Sequence, residues 1–162
     1  MRIRDATEAD WPAMWSYMRG IVAEGETFSW DLDIDEQDAR GYWLSERRGH
    51  TFVAVDETDV PLGATRMEPN RGGGGAHVAS AGFMVDRGAR GRGIGRMLGE
   101  RVIEQARADG YRAIQFNAVV ASNTAAVALW TSLGFQILAT VPDGFRRPSG
   151  EYVGLHVMYL SL

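Results

Sequence analysis

Arg90-Gly91-Arg92-Gly93-Ile94-Gly95 is the stretch whose residue types and spacing most directly imply chemistry. An apolar run, Ala79-Ser80-Ala81-Gly82-Phe83-Met84-Val85, precedes it, and apolar residues at helical spacing follow from Ile94 to Ala108. A strand that turns through glycines into a helix leaves the first backbone N–H groups of the helix unpartnered, at the positive end of its dipole. Such a row of donors suits a phosphate or pyrophosphate. Glycine lets the anion approach the main chain because no β-carbon intervenes. Arg90, Arg92 and Arg96 add positive charge around the same point.

The stretch is not a dinucleotide fingerprint, because Arg96 stands where G-x-G-x-x-G needs its last glycine. Nor is it a nucleoside-triphosphate loop, which would end in Gly-Lys-Ser/Thr. What remains is Arg-x-x-Gly-x-Gly between a strand and a helix. The plain reading is a glycine-rich turn with surface arginines. The pattern also resembles motif A of the Gcn5-related N-acetyltransferases, the GNAT family, in which this loop holds the pyrophosphate of acetyl-coenzyme A. Further along, Asn123-x-x-Ala126-x-x-Leu129-Trp130-x-x-Leu133-Gly134-Phe135 is similar to motif B of the same family, a helix beside the pantetheine arm. The segments Ser80-Ala81-Gly82-Phe83 and Phe116-Asn117-Ala118-Val119, with Asn123, look closer still to the yeast-type enzymes that acetylate proline analogues and small amino acids. Ser80 departs from that group, which carries asparagine there.

The resemblance implies a set of roles. Acyl transfer from a thioester to an amine needs the cofactor held, the amine neutral and the developing oxyanion met by a donor. Arg90, Gly91, Arg92, Gly93, Ile94, Gly95 and Arg96 would hold the pyrophosphate. Phe83, Met84 and Val85 would pair their main chain with the pantetheine like an added strand, and the Val85 N–H would polarise the acetyl carbonyl. Asn123 is either an ordinary helix cap or a contact to the pantetheine arm. Trp130 stands where many relatives place a tyrosine that protonates the departing thiolate. Indole donates a hydrogen bond but does not give up its proton, so Tyr152, Tyr159 or solvent would have to serve. The loop from Ile21 to Trp30, with Glu26 and Phe28, would line the acceptor site together with Ser80 and Asn117. An asparagine in mid-strand costs free energy if buried unpaired, so Asn117 is expected to bond substrate or cofactor, or else neighbouring backbone. Glu26, Glu68 and His77 are the candidate bases, acting directly or through water.

Elements must place these residues. Residues 2–5 read as a strand, and Thr7 with Asp10 as a helix start like a capping box. Helices are expected from Ala9 to Ala23 and from Asp35 to Glu46 by their three- and four-residue apolar spacing. Strands are expected over 51–55, 60–67, 77–85, 111–120, 135–141 and 152–160. Residues 69–75, with four consecutive glycines, read as a flexible hairpin connection, and residues 142–150 as a loop. Along 111–120, Ile114, Phe116 and Ala118 should share one face. The order β-αα-βββ-α-β-α-ββ and the resemblance together imply one α+β domain over residues 1–162, placed in α/β by some schemes. Its mixed, mostly antiparallel sheet would have seven strands, a splayed parallel pair and about four flanking helices.

Composition excludes several alternatives. A chain of 162 residues with 45% hydrophobic and 23% charged residues suits one ordinary globular domain. A net charge of −4 gives no general basic footprint for nucleic acid. No cysteine is present, which removes disulfides and thiolate sites and fits a reducing cytoplasm. The three histidines lack ligand spacing, so no metal is expected. No apolar run reaches membrane-span length and no targeting peptide is legible. The expected partners are therefore acetyl-coenzyme A and a small amine or amino acid, without nucleic acid or membrane. Relatives often form dimers, so a homodimer is an expectation too. An acyl-coenzyme A sensor without turnover is the alternative that the Trp130 replacement favours.

Overall fold

A computed structural model of the chain describes residues 1–45 and 49–162. Strand β1 (Arg2–Asp5) leads to a one-turn 3-10 helix, Glu8–Asp10, and then to helix α1 (Trp11–Ala23). The expected single helix from Ala9 is thus divided at Asp10. The Asp10 carboxylate accepts from the Thr7 N–H at 2.7 Å, the Thr7 hydroxyl at 2.9 Å and both Arg4 Nη atoms at 2.8 and 2.7 Å. It thereby ties β1 to the helix start. Beyond it, Trp11, Met14, Met18, Ile21 and Val22 turn one buried stripe of α1 to the sheet.

The Arg4 hydrogen bond, more than any other contact, holds the Asp10 carboxyl below the usual carboxylate range. A folded state that binds a proton less tightly than the unfolded chain gains stability above the ordinary carboxylate pKa, about 4. That gain is lost as pH falls through the lowered folded value. Asp10→Asn is therefore expected to cost about 1–3 kcal/mol at pH 7. The gap between variant and wild type should narrow at pH 3, as urea titrations at the two pH values would measure.

Helix α2 (Glu36–Trp43) starts under the Asp35 carboxylate, which accepts the Asp38 N–H at 2.8 Å. It ends at Leu44; the expected extension to Glu46 runs into residues outside those described. Strands β2 (His50–Val55) and β3 (Pro61–Pro69) form a hairpin, and β4 (Val78–Val85) pairs antiparallel with β3. The glycine-rich connection closes that second hairpin, with Gly73–Gly75 forming a single 3-10 turn. Helix α3 (Ile94–Ala108), β5 (Ala113–Val120) and α4 (Thr124–Ser132) follow. The chain ends in β6 (Gln136–Arg146) and β7 (Tyr152–Ser161).

The expected loop at 142–146 is instead a continuation of β6. The pairing shifts between Val141 and Phe145, with Asp143 at φ 53°, so a bulge absorbs Pro142 and Gly144 without ending the strand. Proline is tolerated there because β6 lies at the sheet edge.

The sheet order is β1-β2-β3-β4-β5-β7-β6, and every pairing is antiparallel except β4 with β5. One face packs against α1 and α2 through Val53, Val55, Ala64 and Met84. The other packs against α3 and α4 through Ala54, Phe83, Ile114 and Phe116. Two apolar layers therefore hold the β4–β5 junction between them.

Candidate active site

Strands β4 and β5 pair only at Val78–Ala113 and Ala79–Ile114, and then separate. The direction of β4's main-chain groups decides what the gap contains. The Val78 carbonyl accepts from the Asn70 N–H at 2.8 Å and the Asp86 N–H donates to the Leu62 carbonyl at 2.8 Å, both on the β3 side. The His77 carbonyl accepts from the Arg112 N–H at 2.9 Å, on the β5 side. Successive residues of a strand alternate in this respect. Even-numbered residues of β4 thus bond β3, while Ala81, Phe83 and Val85 point their N–H and C=O into the gap. Met84 does not fit the pairing role expected of it: its main chain faces β3 opposite Ala64, and its side chain is buried with α1.

At the far end of the gap lies the glycine loop. A 3-10 turn, Arg87–Ala89, is held by the Asp86 carboxylate, which accepts the Gly88 N–H at 3.2 Å, and by buried Ala89. Gly91 and Gly93 follow at φ 77° and 78°, the left-handed region where a β-carbon is strained. A β-carbon at either would meet no atom within 4 Å, so the space above them is open. Gly93 caps α3 without a side chain, and the first helical bond runs from the Met97 N–H to the Gly93 carbonyl at 3.1 Å. Among the described residues the N–H groups of Ile94, Gly95 and Arg96 have no partner. Undressed amides, open space and exposed Arg90 and Arg92 form a cradle that fits a diphosphate.

The other members of the motif serve packing as well. The Ile94 side chain is buried with Leu98. A β-carbon on Gly95 would lie 3.1 Å from Leu129, so that glycine lets α3 approach α4 as well as leaving an amide bare. Arg96 donates to the Ser132 hydroxyl at 2.7 Å, which links the cradle to α4.

The gap opens into a cleft of about 390 Å³. Toward α1 and α2 it is walled by Phe28, Trp30 and Tyr42, with Ser80, Gly82 and Asn117 on the strands. The three rings stand edge to face, 5.1 Å apart at each step. Burial above all pushes the Tyr42 phenol up from its usual pKa, so it stays a hydroxyl donor near neutral pH. Toward α4 the lining is Phe83, Phe116, Asn123, Ala126 and Trp130. Among the described residues lining the cleft there is no carboxylate, imidazole, lysine or arginine.

A search against family models matches residues 10–135 to the acetyltransferase (GNAT) family. The chain belongs to that family. Among solved structures, a GCN5-related N-acetyltransferase from Kribbella flavida is 51% identical, with a TM-score of 0.96 over 99% of this chain and 97% of that one. An acetyltransferase from Salmonella typhimurium, solved with its cofactor acetyl-coenzyme A, is 25% identical, with a TM-score of 0.89 over 100% and 94%. Among curated relatives, the L-methionine sulfoximine/L-methionine sulfone acetyltransferase of Pseudomonas paraeruginosa is 29% identical over 99% of this chain and 94% of its own length. The N-acetyltransferase aca1 of Schizosaccharomyces pombe is 33% identical over 65% of this chain, which spans about half (51%) of that protein. The domain is an acetyl-coenzyme A-dependent N-acetyltransferase domain.

The remaining residues singled out in the sequence divide between the cleft lining and positions away from it. Asn117 lines the cleft and is exposed; its Nδ2 donates to Asn70 Oδ1 at 2.6 Å and its Oδ1 accepts from Gln115 Nε2 at 2.9 Å. Ala118 leaves the face expected of it, since the β5 pairing shifts between Phe116 and Val119 and Val119 is buried in its stead. The Asn123 Oδ1 accepts the Ala126 N–H at 3.3 Å, so it caps α4 while bordering the cleft. Trp130 is 6% exposed, with ring centroids 4.5 Å from Phe83 and 5.0 Å from Phe116. Glu26 stands outside the cleft lining: its carboxylate pairs with Arg147 Nε at 2.8 Å, and Arg147 also holds Glu151 at 2.7 Å. The loop carboxylate Glu26 and the Arg147 guanidinium thus neutralise each other. Glu24 pairs with Arg87, and Glu68 lies 3.3 Å from Arg66. Neither Glu68, His77, Tyr152 nor Tyr159 borders the cleft. Tyr42, a wall residue that pattern reasoning places only on an inner helix face, had no signal of its own.

Among the described residues, no group of three or more His, Cys, Asp or Glu is placed to hold a metal. No helix of the described residues is long and apolar enough to cross a membrane.

Proposed function

We propose that the protein moves the acetyl group of acetyl-coenzyme A onto the amino group of a small amino acid or amino-acid analogue, by direct attack while both are bound. One observation carries this reading: a single gap in the sheet joins the bare amides of α3 and the outward main chain of Phe83 and Val85 to an uncharged, aromatic-walled hollow on the opposite face. The first half suits a diphosphate and its pantetheine arm. The second suits a neutral organic acceptor. The full-length likeness to the methionine sulfoximine and sulfone enzyme supports an amino-acid analogue as that acceptor.

Bound acetyl-coenzyme A supplies an acetyl group on a thiolate leaving group that is stable near neutral pH. The amides of Ile94, Gly95 and Arg96, with Arg90 and Arg92, hold the diphosphate, and Gly91 and Gly93 leave room for it. Phe83 and Val85 extend the β4 edge toward the arm, and the Val85 N–H meets negative charge as it grows on the carbonyl oxygen. Asn117 and Ser80 orient the amine, with Phe28 as wall. The amine proton leaves through water, because among the described residues no carboxylate or imidazole lines the cleft. Asn123 and Trp130 bound the arm's channel on the α4 side, and Trp130 acts there as a wall and not as an acid.

The exposed edge strand β6, with Ile137, Leu138 and Val141 at 45%, 57% and 49% exposure and Tyr152 beside it at 58%, supports a homodimer. Action in the cytoplasm suits a chain without cysteine that draws on a charged thioester unable to cross membranes.

Thiol release against a panel of amines, with mass analysis of the product, tests the reading. Turnover is expected with methionine sulfone, methionine sulfoximine or other neutral amino acids, and none with amino acids bearing charged side chains. Tight binding of acetyl-coenzyme A with no release for any amine would point instead to a sensor. Asn117→Ala is expected to lower kcat/KM for the acceptor about tenfold, with acetyl-coenzyme A affinity nearly unchanged by calorimetry. An equal loss in both would move Asn117 into the cofactor site.

A further inference from the structure

We propose that Asn70, at the start of the glycine-rich β3–β4 connection, is a positioning residue that fixes which way the Asn117 carboxamide meets the acceptor. The inference rests on the reading of Asn117 as an acceptor contact. Asn70 is half-buried, and its own N–H is committed to the Val78 carbonyl at 2.8 Å. Its Oδ1 accepts from Asn117 Nδ2 at 2.6 Å, a contact between positions 47 apart in sequence. Asn117 Oδ1 in turn accepts from Gln115 Nε2 at 2.9 Å.

A carboxamide has a donor end and an acceptor end of nearly equal shape, so a row of three could run in either direction. Arg71 selects one. A guanidinium only donates, and Arg71 Nη1 lies 3.3 Å from Asn70 Oδ1 and 2.8 Å from the Asn70 carbonyl. Asn70 turns its oxygen to that side, and the same oxygen accepts from Asn117. Asn117, on the cleft lining, is left with one N–H and one Oδ1 lone pair unused among the described residues. The lone pair suits an N–H of the acceptor amine. The remaining N–H suits a carbonyl or carboxylate oxygen beside that amine. One neutral side chain can thus read an amino group and its neighbouring oxygen, in a cleft whose described lining offers no charged group to do so. Without Asn70 the carboxamide can turn over, and part of the population presents its ends reversed.

The test uses Asn70→Ala and Asn70→Asp in the full chain, each alone, and Asn70→Ala also combined with Asn117→Ala. The readouts are acceptor KM and kcat at saturating acetyl-coenzyme A, cofactor affinity by calorimetry, and Tm. Asn70→Ala is expected to raise acceptor KM about fivefold, with kcat, cofactor affinity and Tm nearly unchanged. Asn70→Asp keeps an oxygen for Asn117 and should return KM to within about twofold of wild type. On the Asn117→Ala background, Asn70→Ala should add less than about twofold, because the two residues act as one unit. A wild-type KM in Asn70→Ala, no rescue by aspartate, or a full additional loss on the Asn117→Ala background would each overturn the proposal. A wild-type chain that acetylates none of the amines would fail the proposed function itself, a result distinct from turnover that Asn70→Ala leaves untouched.

Discussion

Replacing Gly93 by glutamate should abolish acetyl-coenzyme A binding while leaving the domain folded. The two effects separate because of where Gly93 sits. Its φ of 78° makes any side chain there strained, at about 1–2 kcal/mol. Its β-carbon position is open to 4 Å, so the unliganded protein suffers no clash. Stability should therefore fall by only that amount, or about 2–8 °C in Tm. The cofactor fares far worse. A carboxylate would stand over the unpartnered amides of Ile94, Gly95 and Arg96, take their hydrogen bonds and oppose the diphosphate charge. An affinity loss of at least about 100-fold is expected, given about 1.5–3 kcal/mol for each lost hydrogen bond to a charged group. Gly93→Ala isolates the backbone contribution and should lose far less. Calorimetry on both variants decides it; wild-type affinity in Gly93→Glu would remove the cradle from the account.

Trp130→Ala should give the largest loss of stability. Trp130 is 6% exposed and joins Phe83, Phe116 and Phe135 at centroid distances of 4.5, 5.0 and 6.2 Å. Truncating such a ring costs about 3–5 kcal/mol, because the neighbours collapse only partly into the space. The neighbourhood resists collapse in a specific way. Gly99 on α3 is a glycine whose β-carbon would come within 3.0 Å of the indole, so the two helices already meet at their closest approach there. A fall in Tm of roughly 6–20 °C follows, readable by scanning calorimetry. The same ring also lines the cleft. Trp130→Tyr separates its roles: it should retain most of the stability, and an unchanged kcat would show that no acid is needed at that position.

The glycine loop was legible in the sequence because its geometry permits few residues. Left-handed backbone at Gly91 and Gly93 calls for glycine, so composition and position coincide. The element order was legible for a similar reason: long apolar periodicities in α1 and α3 admit one reading. The orientation of β4 was not. Whether Met84 or Val85 turns its amide to the gap depends on the parity of its pairing with β3, which no side chain records. Glu26 misled because its partner, Arg147, lies 121 residues away. The continuation of β6 through Pro142 and Gly144 was hidden by residues that ordinarily mark a turn; a bulge at a sheet edge accommodates them. Asn117 was singled out as a polar residue in mid-strand, but its Asn70 partner lay in a glycine tract that gave no reason to look there.

A crystal structure with coenzyme A bound decides whether the start of α3 is the diphosphate site. The diphosphate is expected within hydrogen-bond distance of the Ile94, Gly95 and Arg96 amides, and the pantetheine arm against the main chain of Phe83 and Val85. Phosphates lodged away from the start of α3, or an arm that runs elsewhere than along the open edge of β4, would contradict it.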